Sequence, residues 1–220
     1  MPHPIQAVIF DLDGVLVDTE IWWDEVRQQF AAAHARAWTL EDRASVMGAN
    51  SRQWSRTMRR RLRLTLPAAE IEREVVDGMI SRWNLGPSPL IPGADEVVQR
   101  LAAEYAIAVA SSAHRGVIDA ALAATGLVRY FSVIVSSDEV GHGKPAPDVY
   151  LEAARRLGVD PHGCAVIEDS LNGVLSGRAA GMTVILVPNA SIPPAAGARQ
   201  AADIVLEDIR QLDPRQIVAA

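Results

Sequence analysis

Only one cysteine, Cys164, occurs among the 220 residues, which excludes an intramolecular disulfide framework and a metal site made of several cysteines. Long apolar runs are missing too: none approaches the ~18 residues of a transmembrane helix. The opening residues, Met1-Pro2-His3-Pro4, lack the charged and apolar regions of a signal peptide. Positive charge is not in excess, since 21 Lys and Arg face 27 Asp and Glu for a net of −6. A chain of that sign does not attract nucleic acid as a whole. No internal repeat is present, and low complexity is confined to the loop around Pro188–Gly197. The expectation is a soluble, cytoplasmic protein with neither membrane nor nucleic acid as partner.

What is there is ordinary for a folded chain. Hydrophobic residues make up 49% and charged residues 22%, enough for a sizeable core in one or two domains. Short apolar runs recur at Ala7–Phe10, Ala106–Ala110, Val133–Val135, Ala165–Ile167 and Thr183–Val187. Runs without alternation suit strands covered on both faces, as in a parallel sheet. Helical patterns lie between them, one opening at Gly93 and running to about Ala103, another starting at Pro147-Asp148 and ending near Leu157-Gly158. Strands alternating with helices predict an α/β, doubly wound parallel sheet.

One interval breaks the alternation. From about Thr19 to Asn84 the patterns are helical, at 22–26, 51–64 and 68–83, and the proline-rich segment Pro87–Pro92 then reads as a linker back to the sheet. The expected division is an α/β core from residues 1–18 and 88–220 with a helical insert from 19–87. Charge divides along the same line: residues 20–85 carry a net of +2 and the remainder −8. Six arginines fall between Arg52 and Arg63. Most read as a solvated helix face. Arg52, after the polar turn Gly48-Ala49-Asn50-Ser51, is the best placed to face an anionic substrate. All five tryptophans also lie in the insert, where they read mainly as its core, with one or two available to a pocket.

Four short motifs sit at predicted strand ends, where open α/β sheets hold their ligands. The first is Asp11-Leu12-Asp13-Gly14, which taken alone reads equally as a turn with a helix cap. The second is Ser111-Ser112-Ala113-His114, whose hydroxyls and backbone N–H groups can hold a phosphate or simply cap a helix. The third, Gly143-Lys144-Pro145, places a lysine just before a helix start, where it opposes the helix dipole. The fourth is Glu168-Asp169. If these ends converge, four carboxylates and one ammonium leave −3, a charge that folds stably only with help. A divalent cation resolves it, and hard oxygen donors select Mg²⁺. Such a site can accept a phosphate, with one carboxylate as nucleophile and another carboxyl as acid/base.

The ordered set Asp11-x-Asp13, Ser111, Lys144 and Glu168-Asp169 resembles the haloacid dehalogenase superfamily. The resemblance spans the chain, the insert looking like that family's helical cap, and is closest to the branch of β-phosphoglucomutase and phosphoglycolate phosphatase. It implies that Asp11 attacks phosphorus and becomes an aspartyl phosphate, while Asp13 protonates the leaving oxygen and then activates water. It implies that Ser111 and Lys144 hold phosphoryl oxygens, with Ser112 assisting. It further implies that Asp11, the Asp13 carbonyl and Asp169 bind Mg²⁺, with Glu168 close or coordinating. His114 stands where that branch often carries a lysine, which implies a substrate contact, although a lone histidine is more often structural. The second acid, Asp13, separates the chain from dehalogenases.

The leading expectation is a Mg²⁺-dependent phosphatase of small phosphorylated metabolites such as sugar phosphates or phosphoglycolate, acting as a monomer or weak homodimer. A sugar phosphomutase is one alternative. In the mutase a histidine follows the last aspartate of the first motif by five residues, and counting from Asp18 reaches Trp23 here. A non-catalytic phosphate-binding module is the other.

Overall fold

A computed structural model describes residues 4–214 and 217. The first strand, β1 (Ala7–Phe10), is four residues long with every side chain buried. Val8 and Phe10 join a cluster with Val97, Leu101 and Ile118 on one face, and Ala7 and Ile9 join Val149, Tyr150 and Ala153 on the other. Burying each large side chain contributes ~1.5–3 kcal/mol, so this strand is held from both sides.

The remaining strands are β2 (Ala106–Ser111), β3 (Val133–Ser136), β4 (Cys164–Glu168), β5 (Thr183–Leu186) and β6 (Ile204–Val205). They form one sheet in the order β3-β2-β1-β4-β5-β6, every adjacent pair parallel. The five strands expected from apolar runs are present within a residue of those runs. The two-residue, half-buried β6 was not expected, because it carries no run to read. Cys164 begins β4 fully buried and packs there.

Between β1 and β2 lie α1 (Glu20–Ala33), α2 (Leu40–Ala44), α3 (Ser51–Arg61), α4 (Ala68–Trp83) and α5 (Ala94–Ala102). After β2 come α6 (Arg115–Ala124), α7 (Asp148–Leu157), α8 (Leu171–Ala179) and α9 (Ala198–Ala201). Helix α2 is an addition to the expected set, started by a capping box in which Thr39 and Asp42 satisfy each other's backbone N–H groups. Asn50 and Gln53 start α3 in the same way. The chain leaves and re-enters the sheet through two segments that run side by side. Asp18 N–H donates to the Pro89 carbonyl at 2.8 Å, and Ile91 N–H to that of Leu16 at 2.9 Å. Among the described residues no helix is long and apolar enough to cross a membrane.

The order in which strands are added across the sheet reverses between β1 and β4. From β1 the chain proceeds outward through β2 and β3, then returns to lay β4 on the other side of β1. In such sheets a crevice opens at that point, beyond the carboxyl ends of the strands.

Ile9→Ala empties a fully buried site at the sheet centre and is expected to cost about 2–5 kcal/mol. A urea titration will show a lower midpoint with an unchanged slope.

Candidate functional site

At the crevice the strand ends bring their charged residues together. Asp11 follows β1 directly, its N–H bonded to the Ile167 carbonyl at 3.0 Å. Lys144, the single lysine in the chain, is buried between Asp11 and Glu168. Its ammonium donates to Asp11 Oδ1 at 2.7 Å, Glu168 Oε1 at 2.7 Å and the Ala110 carbonyl at 3.1 Å. All three donors are thus used. The Tyr150 ring lies 4.7 Å from the ammonium, and the Tyr150 hydroxyl donates to Glu168 Oε1 at 2.7 Å. Glu168 Oε2 accepts from the N–H groups of Asp169 and Ser170 and from the Ser170 hydroxyl. Glu168 therefore braces Lys144 and the start of α8, with both oxygens engaged.

Two glycines make room for this arrangement. A Cβ at Gly173 would fall 1.7 Å from the Glu168 carboxyl carbon, and one at Gly14 would fall 2.1 Å from Asp169 Oδ2. Gly14 also has φ +89°, a conformation that favours glycine. The first motif can therefore fold back beneath the fourth.

The charges explain the donor chemistry. Burial, followed by repulsion from Glu168 and Asp11, pushes the Asp169 carboxyl well above the ordinary aspartate value. Burial also raises Asp11 against the pull of Lys144. Glu168 would be raised by burial, but the charge and hydrogen bond of Lys144 bring it below the usual range. Lys144 is disfavoured by burial, yet Asp11 and Glu168 hold its ammonium above the ordinary lysine value. Crowded carboxylates of this kind want a cation. Asp11, Glu168 and Asp169 offer oxygens that all lie within 4.8 Å of one another, a set of hard donors that fits Mg²⁺. The Asp13 carboxylate stands outside that cluster. Its Oδ1 accepts from the Thr19 hydroxyl and, at 3.3 Å, from Trp23 Nε1–H. Burial raises it, with those two hydrogen bonds opposing.

A cavity of about 280 Å³ opens over these groups. Asp11, Asp13, Ser111, Ser112, Lys144 and Asp169 form its floor, and residues of the helical segment, Trp23, Arg27 and Trp54 among them, form its roof. Ser111 is buried, with its Oγ accepting from Ala113 N–H at 3.0 Å.

Two expected substrate contacts fall elsewhere. Arg52 is exposed and donates to the Asp138 carbonyl at 2.9 Å, and His114 accepts from Gly116 N–H through Nδ1 as the cap of α6. Neither lines the cavity. In the first turn of α3, Arg52 stands two residues after the Asn50 cap on the exposed side, while Ser51 and Trp54 are buried. Glu20 and Arg27 line the cavity instead. The tryptophans divide as expected: Trp22 packs edge-on against Trp83 at 5.0 Å, and Trp23 and Trp54 reach the cavity.

The family model described as haloacid dehalogenase-like hydrolase matches residues 5–181. The chain is 33% identical over 205 residues to a bifunctional riboflavin kinase/FMN phosphatase of Arabidopsis thaliana, covering 92% of this chain and 53% of that protein. It therefore spans about half the length of that relative. It is 31% identical over 200 residues to hexitol phosphatase B of Escherichia coli, covering 85% of each. Its fold is similar to that of a CbbY variant from Rhodobacter sphaeroides in complex with xylulose-1,5-bisphosphate, with TM-score 0.82, 28% identity and coverage of 94% of this chain and 96% of that one.

The packing at Gly173 is open to a direct check. Gly173→Ala forces the fully bonded Glu168 to move and is expected to cost about 1–3 kcal/mol. Gly86→Ala, where a Cβ meets nothing within 4 Å, is expected to stay within ~0.5 kcal/mol of the parent. Equal urea midpoints for the two variants would contradict the packing argument.

Proposed function

This chain belongs to the haloacid dehalogenase-like hydrolases, and we propose that it hydrolyses small sugar phosphates by transferring their phosphoryl group to Asp11. It is an enzyme of the phosphoric monoester hydrolase class. The observation that carries the finer reading is the convergence of a carboxylate, a buried ammonium and a carboxylate cluster fit for a divalent cation under one small cavity.

In this reading the Asp11 carboxylate forms a bond to phosphorus as the ester P–O bond breaks, and Asp13 gives its proton to the leaving alkoxide. Asp13 then takes a proton from water as that water attacks the acyl phosphate, releasing inorganic phosphate and restoring Asp11. Ser111 and Ser112 hold the phosphoryl oxygens, joined by Lys144 when its ammonium exchanges the 3.1 Å bond to the Ala110 carbonyl for one to the substrate, so catalysis is mainly positioning and charge stabilisation. Asp11 and Asp169 would hold Mg²⁺ through their side chains and Asp13 through its carbonyl, with Glu168 alongside. The bound cation supplies neutralisation of the phosphoryl oxygens. Residues 19–87 act as a cap over the core formed by 1–18 and 88–220, opening and closing about the paired segments near Val17 and Leu90.

Cavity size supports the substrate class. About 280 Å³ falls just below the ~300–1,000 Å³ typical of small-molecule pockets. That suits a phosphorylated sugar, in keeping with the hexitol phosphatase relative, better than a flavin nucleotide. Position 23 favours hydrolysis over the mutase alternative. An indole only donates, so Trp23 holds Asp13 but cannot also accept a hydrogen bond from a sugar hydroxyl. The complete set of reacting groups speaks against a non-catalytic binding module.

The test is phosphate release from a panel of phosphomonoesters, with Mg²⁺ and with EDTA. Wild-type release should require the metal, and Asp11→Asn should lower kcat by on the order of 10³-fold or more. Undiminished release by Asp11→Asn would overturn the reading.

A further inference from the structure

Arg27 is the one buried arginine of the described residues, 6% exposed, and it lines the roof of the cavity. Its guanidinium carbon lies 4.8 Å from the Trp23 ring centre and 5.5 Å from that of Trp54. The buried Nε has no hydrogen-bond partner, and no described carboxylate lies within 4.0 Å of the group. Other arginines of the insert find carboxylates: Arg61 with Asp42, Arg82 with Glu25 and Arg43 with Asp24. Glu20, Asp24 and Asp13 act on Arg27 only through their field, and burial brings the guanidinium to about 10, still protonated at neutral pH.

A methionine or leucine at this position would pack against two indoles without burying an unpaired charge. The tryptophans hold the guanidinium plane by cation–π contact and leave its N–H groups for a ligand. A planar fork of N–H donors matches an oxyanion in bidentate geometry. Trp23 also donates to Asp13, so one indole ties the acid/base to the cationic roof.

We propose that Arg27 is the specificity-determining residue for a second oxyanion, a carboxylate or a further phosphate, carried by the substrate at the end away from the reacting phosphoryl group. This rests on the reading of the cavity floor as the phosphoryl-transfer site, and it narrows the substrate class to phosphomonoesters with an anionic tail.

The test compares kcat/KM for matched pairs: a hexose bisphosphate against the corresponding monophosphate, and phosphoglycolate against glycerol phosphate. Arg27→Gln should lower the ratio of anion-tailed to neutral-tailed efficiency at least tenfold, chiefly through KM, and Arg27→Lys should restore part of it. Arg60→Gln, an exposed substitution on α3, should leave the ratio as in the wild type. Equal losses for both classes, or an unchanged ratio, would overturn the assignment, the first placing Arg27 on the reacting phosphoryl or in the fold. Tryptophan fluorescence of the Asp11→Asn protein, titrated with the hexose bisphosphate and monophosphate, separates this from failure of the phosphatase reading. Tighter bisphosphate binding that Arg27→Gln abolishes supports the assignment even if no ester is cleaved, and equal binding of the two overturns it.

Discussion

A buried ammonium must be matched by anions, and in this protein the match is Lys144 between Asp11 and Glu168. Much of the architecture follows from that requirement. Strands β1 and β4 pair with Phe10 opposite Ile167, so the carboxylates that follow emerge side by side at the switch in strand order. The loop before α7 delivers Lys144 between them, with Tyr150 on the first turns of α7 closing the interior side. Position 173 has to be glycine because Glu168 occupies the space where a Cβ would sit. Removing one partner of a buried pair strands the other charge at a cost of about 3–5 kcal/mol. The charged groups of the crevice are therefore structural as well, and the apolar packing of β1 and β4 on both faces offsets what their burial costs.

The same crowding sets the chemistry. More carboxylate charge meets at the crevice than Lys144 can neutralise, and the surplus on Asp11 and Asp169 is what a hard cation would relieve. The helical segment contributes a second polarity to the cavity. Its roof is aromatic and cationic over an acidic floor, and Trp23 is the point of contact between the two through Asp13. Under the proposed function, Trp23 links the acid/base, through its hydrogen bond to Asp13, to the Arg27 guanidinium that lies over its ring.

Much of this was legible in the sequence, for physical reasons. Apolar runs announce strands covered on both faces, and three of the four motifs lie at their ends because that is where a parallel sheet presents its polar residues, the lysine motif reaching the same crevice through the loop before α7. Strand β6 went unread because two half-buried residues make no pattern. Helix α2 is too short to show a period, although Thr39 and Asp42 carried its cap signal. Arg27 is harder to see: its burial depends on Trp23 one turn before it and on Trp54 from another helix, a contact across elements that no local spacing records. Arg52 was the more conspicuous arginine because it stands beside a polar turn, but that turn is a helix cap and carries it outward. His114 was singled out by the resemblance, as standing where the branch often carries a lysine, and its ring is occupied in capping α6.

Covalent capture of the phosphoryl group would test the central claim most directly. Wild-type protein mixed with a sugar phosphate in Mg²⁺, quenched in acid within the first turnovers and digested, should yield one peptide heavier by a phosphoryl group, with the label on Asp11 and lost on exposure to hydroxylamine. Turnover with no label on Asp11, or with label on another residue, would contradict the assignment of Asp11 as the attacking group.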